Sequence, residues 1–155
     1  MKNEIIKALE SIANSDIISS EDTCGFVKEP GTDSVTISED IGTIYGFAVR
    51  LDKSEVEDFF NKYNQQNYIT EYTEWKSIGN NFYPLYWGEA KEGVARVDSH
   101  LKAHTGKGSI QLNIRTELKN KEVIYGLIQV KNRLVNEDNI RKEYPDIYKN
   151  YKVKK

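Results

Sequence analysis

The sequence predicts an α+β domain. Thr43, Tyr45, Phe47, Val49 and Leu51 alternate with the period of a strand, and Val123–Val130 is a nearly continuous apolar run that reads as a buried strand. Around them lie segments with helical spacing: Ile5, Ile6, Leu9 and Ile12 near the start, and Leu134, Ile140 and Tyr144 near the end.

Each element follows from local chemistry. Residues 2–13 form the first helix, which ends near Asn14-Ser15. Residues 15–34 are polar and turn-rich, with Pro30-Gly31 as punctuation. A strand runs from Gly42 to Leu51 with its alternating residues on one face. Asp52 or Ser54 caps the next helix, whose Val56, Phe59, Phe60 and Tyr63 make an apolar side. Residues 68–78, rich in aromatic and β-branched side chains, suggest a further strand. Asn80-Asn81 then turns into a short strand over 82–87, stopped at Gly88. A helix over 94–104 ends at Gly106, which suits a left-handed cap. Residues 109–114 read as a strand, and 123–130 as another with Gly126 inside it. The helix over 133–144 is terminated by Pro145. The last eight residues carry four lysines and no acid.

Composition excludes several classes. At 155 residues the chain has the size of one domain with a real core. A hydrophobic share of 38% with 30% charged residues reads as globular and soluble. No apolar run approaches the roughly 18 residues of a membrane helix. The opening segment carries Glu4 and Glu10 and lacks the apolar stretch of a signal peptide, so a cytoplasmic protein is expected. Cys24 is the single cysteine, which excludes an internal disulfide and a multi-cysteine zinc site. A net charge of -2 argues against a broad nucleic-acid binder, so any phosphate site must be local.

A few polar residues have the chemistry for such a site. Arg96 and His100 lie one turn apart on the 94–104 helix. Two basic groups at that spacing repel slightly and contribute little as scaffolding, but would share an anion such as a phosphate. A solvated Arg beside a surface His is the plainer account. Glu137 falls among Leu134, Ile140 and Tyr144, where a carboxylate must be paired, protonated or bound to a metal. Arg141, four residues on, offers an ion pair. With Asn136 as cap, Glu137 becomes an ordinary first-turn acid instead. Tyr45 and Tyr86 each sit on a strand, Tyr45 with its body toward the core. His104 suits the helix C-terminal dipole, and Cys24 has no activating partner in sequence.

In order along the chain, these residues resemble the GIY-YIG nuclease family. Gly42-Thr43-Ile44-Tyr45 looks like a widened form of its first motif, and Tyr86-Trp87-Gly88 like its second with Trp for Ile. Arg96-Val97-Asp98-Ser99-His100 is similar to the Arg-x-x-x-His helix, Glu137 to the metal-binding glutamate, and Asn150 to the asparagine after it. The resemblance implies a small antiparallel sheet flanked by helices over residues 42–150, with 1–41 as an N-terminal helical extension and 151–155 as a basic tail. It implies a metal-dependent endonuclease that hydrolyses phosphodiester bonds in DNA. Tyr45, Tyr86, Arg96, His100 and Glu137 would be catalytic, Asn150 would bind substrate, and Glu137 would hold Mg²⁺ or Mn²⁺. The motif tyrosines stand 41 residues apart, so a helix-containing insertion separates them. Glu89 follows Gly88 at the expected rim, where a carboxylate repels a phosphate backbone. The alternative is a non-catalytic binding or regulatory module on the same fold, docking a protein partner through aromatic residues between 68 and 86.

Overall fold

The computed structural model describes residues 2–19, 24–27, 42–64, 74–90 and 116–148. They form an α+β structure built on a five-stranded antiparallel sheet. Helix α1 (Glu4–Ala13) starts where the Asn3 side chain accepts a hydrogen bond from the Ile6 amide at 3.1 Å. The same Asn3 donates from Nδ2 to the Tyr125 carbonyl at 2.9 Å, so this cap also docks the helix on the sheet. Strands β1 (Ile17–Ser19) and β2 (Cys24–Phe26) follow, then β3 (Thr43–Arg50). Helix α2 (Val56–Tyr63) is entered through a 3₁₀ turn in which the Asp52 amide donates to Glu55 Oε1 at 3.0 Å. This is the reciprocal capping arrangement that satisfies otherwise orphaned amides. Strands β4 (Phe82–Ala90) and β5 (Val123–Val130) and helix α3 (Arg133–Glu143) complete the regular structure. No described helix is long and apolar enough to cross a membrane.

The sheet order is β1–β5–β3–β4, with β2 also on β5, and every pairing is antiparallel. Residues before 42 thus supply one helix and two strands to the same sheet as the residues after it. Strand periodicity sends alternate side chains to two cores. On one face, Ile5, Ile6 and Leu9 of α1 and Ile140 of α3 pack on Ile44, Ala48, Trp87, Ile124 and Ile128. On the other, Phe59 of α2, Trp75 and Tyr148 cover Tyr45, Phe47, Val49, Leu85 and Leu127. β3 is therefore buried on both faces, whereas its sequence signal pointed only to the odd-numbered one.

Two expected elements differ. Of the strand suggested over 68–78, residues 68–73 lie outside the described residues, and 74–78 are irregular. Trp75 makes that stretch core: its ring sits 6.0 Å from Phe59 and 5.0 Å from Tyr83, and its Nε1 donates to the Pro84 carbonyl at 2.9 Å. Trp75 is there for burial rather than sheet pairing. Gly88 does not stop β4, which runs on to Ala90. Gly88 pairs with Tyr45, and a Cβ at Gly88 would stand 2.4 Å from the Tyr45 ring. In the next pair the relation reverses, since a Cβ at Gly46 would stand 2.3 Å from the Trp87 ring. Each glycine is a strand glycine that admits a large ring across the ladder. The helix over 94–104 and the strand over 109–114 lie outside the described residues.

The outer edge of β4 is covered by the segment after α3. The Ile147 and Tyr148 amides donate to the Pro84 and Leu85 carbonyls at 3.3 and 2.8 Å. Further along, side chains replace backbone: Asp146 Oδ2 accepts from the Trp87 amide at 2.8 Å, and Arg141 Nη2 donates to the Trp87 carbonyl. An edge that would otherwise template another strand is thereby satisfied internally.

Candidate functional site

Three of the residues singled out in sequence meet around β4. Tyr45 and Tyr86 are diagonal neighbours on β3 and β4, with ring centroids 6.5 Å apart. Tyr45 is 1% exposed, whereas Tyr86 is half-buried. The Arg141 guanidinium carbon lies 5.7 Å from the Tyr86 ring centroid, within the range of cation–π attraction. Arg141 Nη1 in turn donates to Glu137 Oε2 at 2.8 Å. Tyr86 and Glu137 are therefore joined through one guanidinium, and Tyr45 lies beside Tyr86. Arg96, His100 and Asn150 lie outside the described residues.

The setting of Glu137 differs from both of its simplest sequence readings. Helix α3 begins at Arg133 after Asn132, so Glu137 is in the second turn and is not a first-turn acid. Nor is it central to an apolar stripe, because Leu134 and Val135 are each 59% exposed. The buried line of α3 is Asn136 and Ile140, with Glu137 beside it. Asn136 is tied down by donating from Nδ2 to Asp16 Oδ2 at 3.0 Å and to the Lys131 carbonyl at 3.0 Å. Period alone could not reveal that a polar side chain occupied the inward position.

Charge around Glu137 is unevenly balanced. Burial pushes its carboxyl above the ordinary glutamate value. Arg141 opposes that shift, while the neighbouring charges of Glu89 and Asp146 add to it. The fork of Arg141 is also shared with a second carboxylate. Its Nε lies 3.1 Å from Asp146 Oδ1, and its Nη2 lies 3.1 Å from Asp146 Oδ2, a carboxylate with no exposed side-chain surface. Burial disfavours the guanidinium charge, yet Asp146 and Glu137 outweigh it and hold Arg141 firmly protonated. Glu89 is engaged too, accepting from Arg133 Nε at 2.7 Å. It is therefore not the bare rim carboxylate that its sequence position suggested.

This chemistry permits a limited test of metal fit. Among the described residues, no group of three or more His, Cys, Asp or Glu side chains is gathered as a metal cage. Glu137 nevertheless has 22% of its side chain exposed and an ionised form that its surroundings compensate incompletely. Mg²⁺ is commonly held by one or two carboxylates with water at its remaining positions, and here Glu137 offers one partly open carboxylate that is also bonded to Arg141.

Sequence reasoning identified Arg141 only as a partner for Glu137 and did not identify Asp146. The i+4 spacing was the available signal for Arg141. Asp146 had none, since its other partner, Trp87, is 59 positions away. Comparison with protein-family models, curated proteins and solved structures finds no match to this chain.

Proposed function

We propose that the protein is a metal-dependent endonuclease acting on DNA. The observation that carries the proposal is that Tyr86 and Glu137 both contact the Arg141 guanidinium, through a ring 5.7 Å away and an ion pair of 2.8 Å, with the Tyr45 ring 6.5 Å from that of Tyr86. Glu137 would hold Mg²⁺ or Mn²⁺, whose bound chemistry is stabilisation of the scissile phosphate and the leaving oxygen. Tyr45 would act as general base, its phenolate oxygen accepting the proton that the attacking water gives up. Tyr86, with part of its surface open, suits positioning phosphate and water, together with His100. Arg96 would stabilise negative charge in the transition state with its planar fork. Asn150 would bind substrate near the chain end. We place the enzyme in the cytoplasm, where DNA and Mg²⁺ occur together.

Nicking of supercoiled plasmid, with and without Mg²⁺, tests this reading. Wild type should nick in a metal-dependent way and Glu137→Gln should not, while both melt cooperatively. Arg96→Ala should lose on the order of 10²-fold in single-turnover rate with little change in DNA affinity. Absence of wild-type nicking with either cation, or equal nicking by Glu137→Gln, defeats the proposal.

A second reading has its own support. Tyr45 is 1% exposed, and Glu89 and Glu137 each carry an arginine partner, as in a settled structural network. On that reading the fold is a non-catalytic module that binds a protein. It requires that no purified preparation nick DNA under any divalent cation.

A further inference from the structure

We propose that Arg141 is a positioning residue of the candidate site, the resident counter-ion that holds Glu137 against β4 and limits its affinity for a divalent cation. This inference rests on the nuclease reading, because it assigns a task at the same carboxylate. Its basis is the number of parts that one side chain joins. Arg141 bonds Glu137 Oε2 at 2.8 Å, both oxygens of Asp146 and the Trp87 carbonyl, and stands over the Tyr86 ring. Asp146 also accepts the Trp87 amide, so both polar groups of the Trp87 backbone are bonded to this ion pair. The residue between Tyr86 and Gly88 is thereby fixed relative to α3. Without Arg141, Glu137 would keep its place in the helix but lose its tie to the strand of Tyr86.

Position and charge make opposite demands. The planar fork orients Glu137, while its fixed positive charge opposes a divalent cation at the same carboxylate. Because Asp146 and the Trp87 carbonyl retain the guanidinium independently, Glu137 can exchange Arg141 for a cation without releasing Arg141 from β4. The loss of Glu137 from Arg141 is local and leaves the strand edge closed.

Two variants separate the effects. Arg141→Lys keeps the charge but cannot bond Glu137, Asp146 and the Trp87 carbonyl together. The double variant Arg141→Gln/Asp146→Asn removes the guanidinium charge without stranding a buried carboxylate. Mn²⁺ binding is read from the spectrum of the free ion during titration, and single-turnover nicking and melting are measured on the same preparations. Arg141→Lys should bind Mn²⁺ within about twofold of wild type and nick about tenfold more slowly. The double variant should bind Mn²⁺ about two- to threefold more tightly, because the guanidinium charge bonded to Glu137 outweighs the Asp146 charge removed with it, yet it should also nick more slowly. Tighter metal with slower chemistry is a split that general loosening of the fold does not produce. Metal affinity and rate falling together with melting temperature would make Arg141 purely structural and overturn the inference. Wild-type metal binding and rate in both variants would overturn it as well. If wild type itself neither binds Mn²⁺ nor nicks DNA, the nuclease reading fails first and takes the inference with it.

Discussion

Tyr45 and Gly88 show how a single atom can be decisive. A Cβ at Gly88 would lie 2.4 Å from Tyr45 ring atoms, and the ring is enclosed. Gly88→Ala should therefore cost about 1–3 kcal/mol, as overpacking does, and lower the denaturation midpoint. In a Tyr45→Leu background that cost should shrink, because the ring atoms that collide are gone. An undiminished cost in a double-mutant cycle would show that the contact is not the cause. Glu137 gives a pH-dependent prediction for the metal-free protein. Its folded-state value lies above the unfolded one, chiefly through burial. The folded state is thus relatively favoured while the carboxyl is protonated, and that advantage is lost as pH rises through the raised folded value. Glu137→Gln has no such loss. Its stability relative to wild type should increase with pH from the ordinary carboxylate range upward and then level off. Urea midpoints across that range would show this, and a flat or falling difference would contradict it.

At the scale of elements, helices α1 and α3 owe their places to specific contacts rather than to propensity. Ile5, Ile6 and Leu9 of α1 have no exposed surface, and they lie on Ile124 and Ile128 of β5. Leu9→Ala should cost about 2–5 kcal/mol through lost burial and a residual cavity, measured by urea unfolding. A loss below 1 kcal/mol, in the range of an ordinary surface change, would mean that α1 is not core. The end of α3 depends on Asp146, which serves as both strand-edge acceptor and arginine anchor. Asp146→Ala leaves Arg141 and the Trp87 amide without that partner, so a loss of about 3–5 kcal/mol is expected. Asp146→Asn, which keeps an acceptor for the amide, should lose less. Equal losses would assign the effect to the salt bridge alone.

Over the whole molecule, the sheet unites segments far apart in sequence. β3 is central, β4 closes one side, and β5 carries β1 and β2 on the other. A fragment beginning at residue 42 would lack α1, β1 and β2, exposing Ile44, Ile124 and Ile128 of one face and an edge of β5. Such a fragment should lack cooperative unfolding by calorimetry, whereas the full chain should show one transition. A fragment that melts cooperatively would show that residues 42–155 fold without the N-terminal elements.

Local chemistry determined the α+β class and the principal elements. Alternation at Thr43 to Leu51, the apolar run of Val123–Val130, the Asp52 cap and the stop at Pro145 all act within a few residues of where they are read. Helix period singled out Glu137, and the order of motifs along the chain singled out Tyr45 and Tyr86, in each case without knowledge of their partners. The tertiary structure decided what those faces meet. Residues 1–41 could be set apart in sequence because the asparagine cap of α1 bonds the Tyr125 carbonyl, 122 positions away. Gly88 could be read as a turn because the ring that requires it lies on another strand. Glu137 could be placed on an apolar face because Asp146, Trp87 and Arg141 assemble their network only when α3 lies along β4. Periodicity is a property of neighbours in the chain, whereas pairing, burial and charge balance belong to neighbours in space.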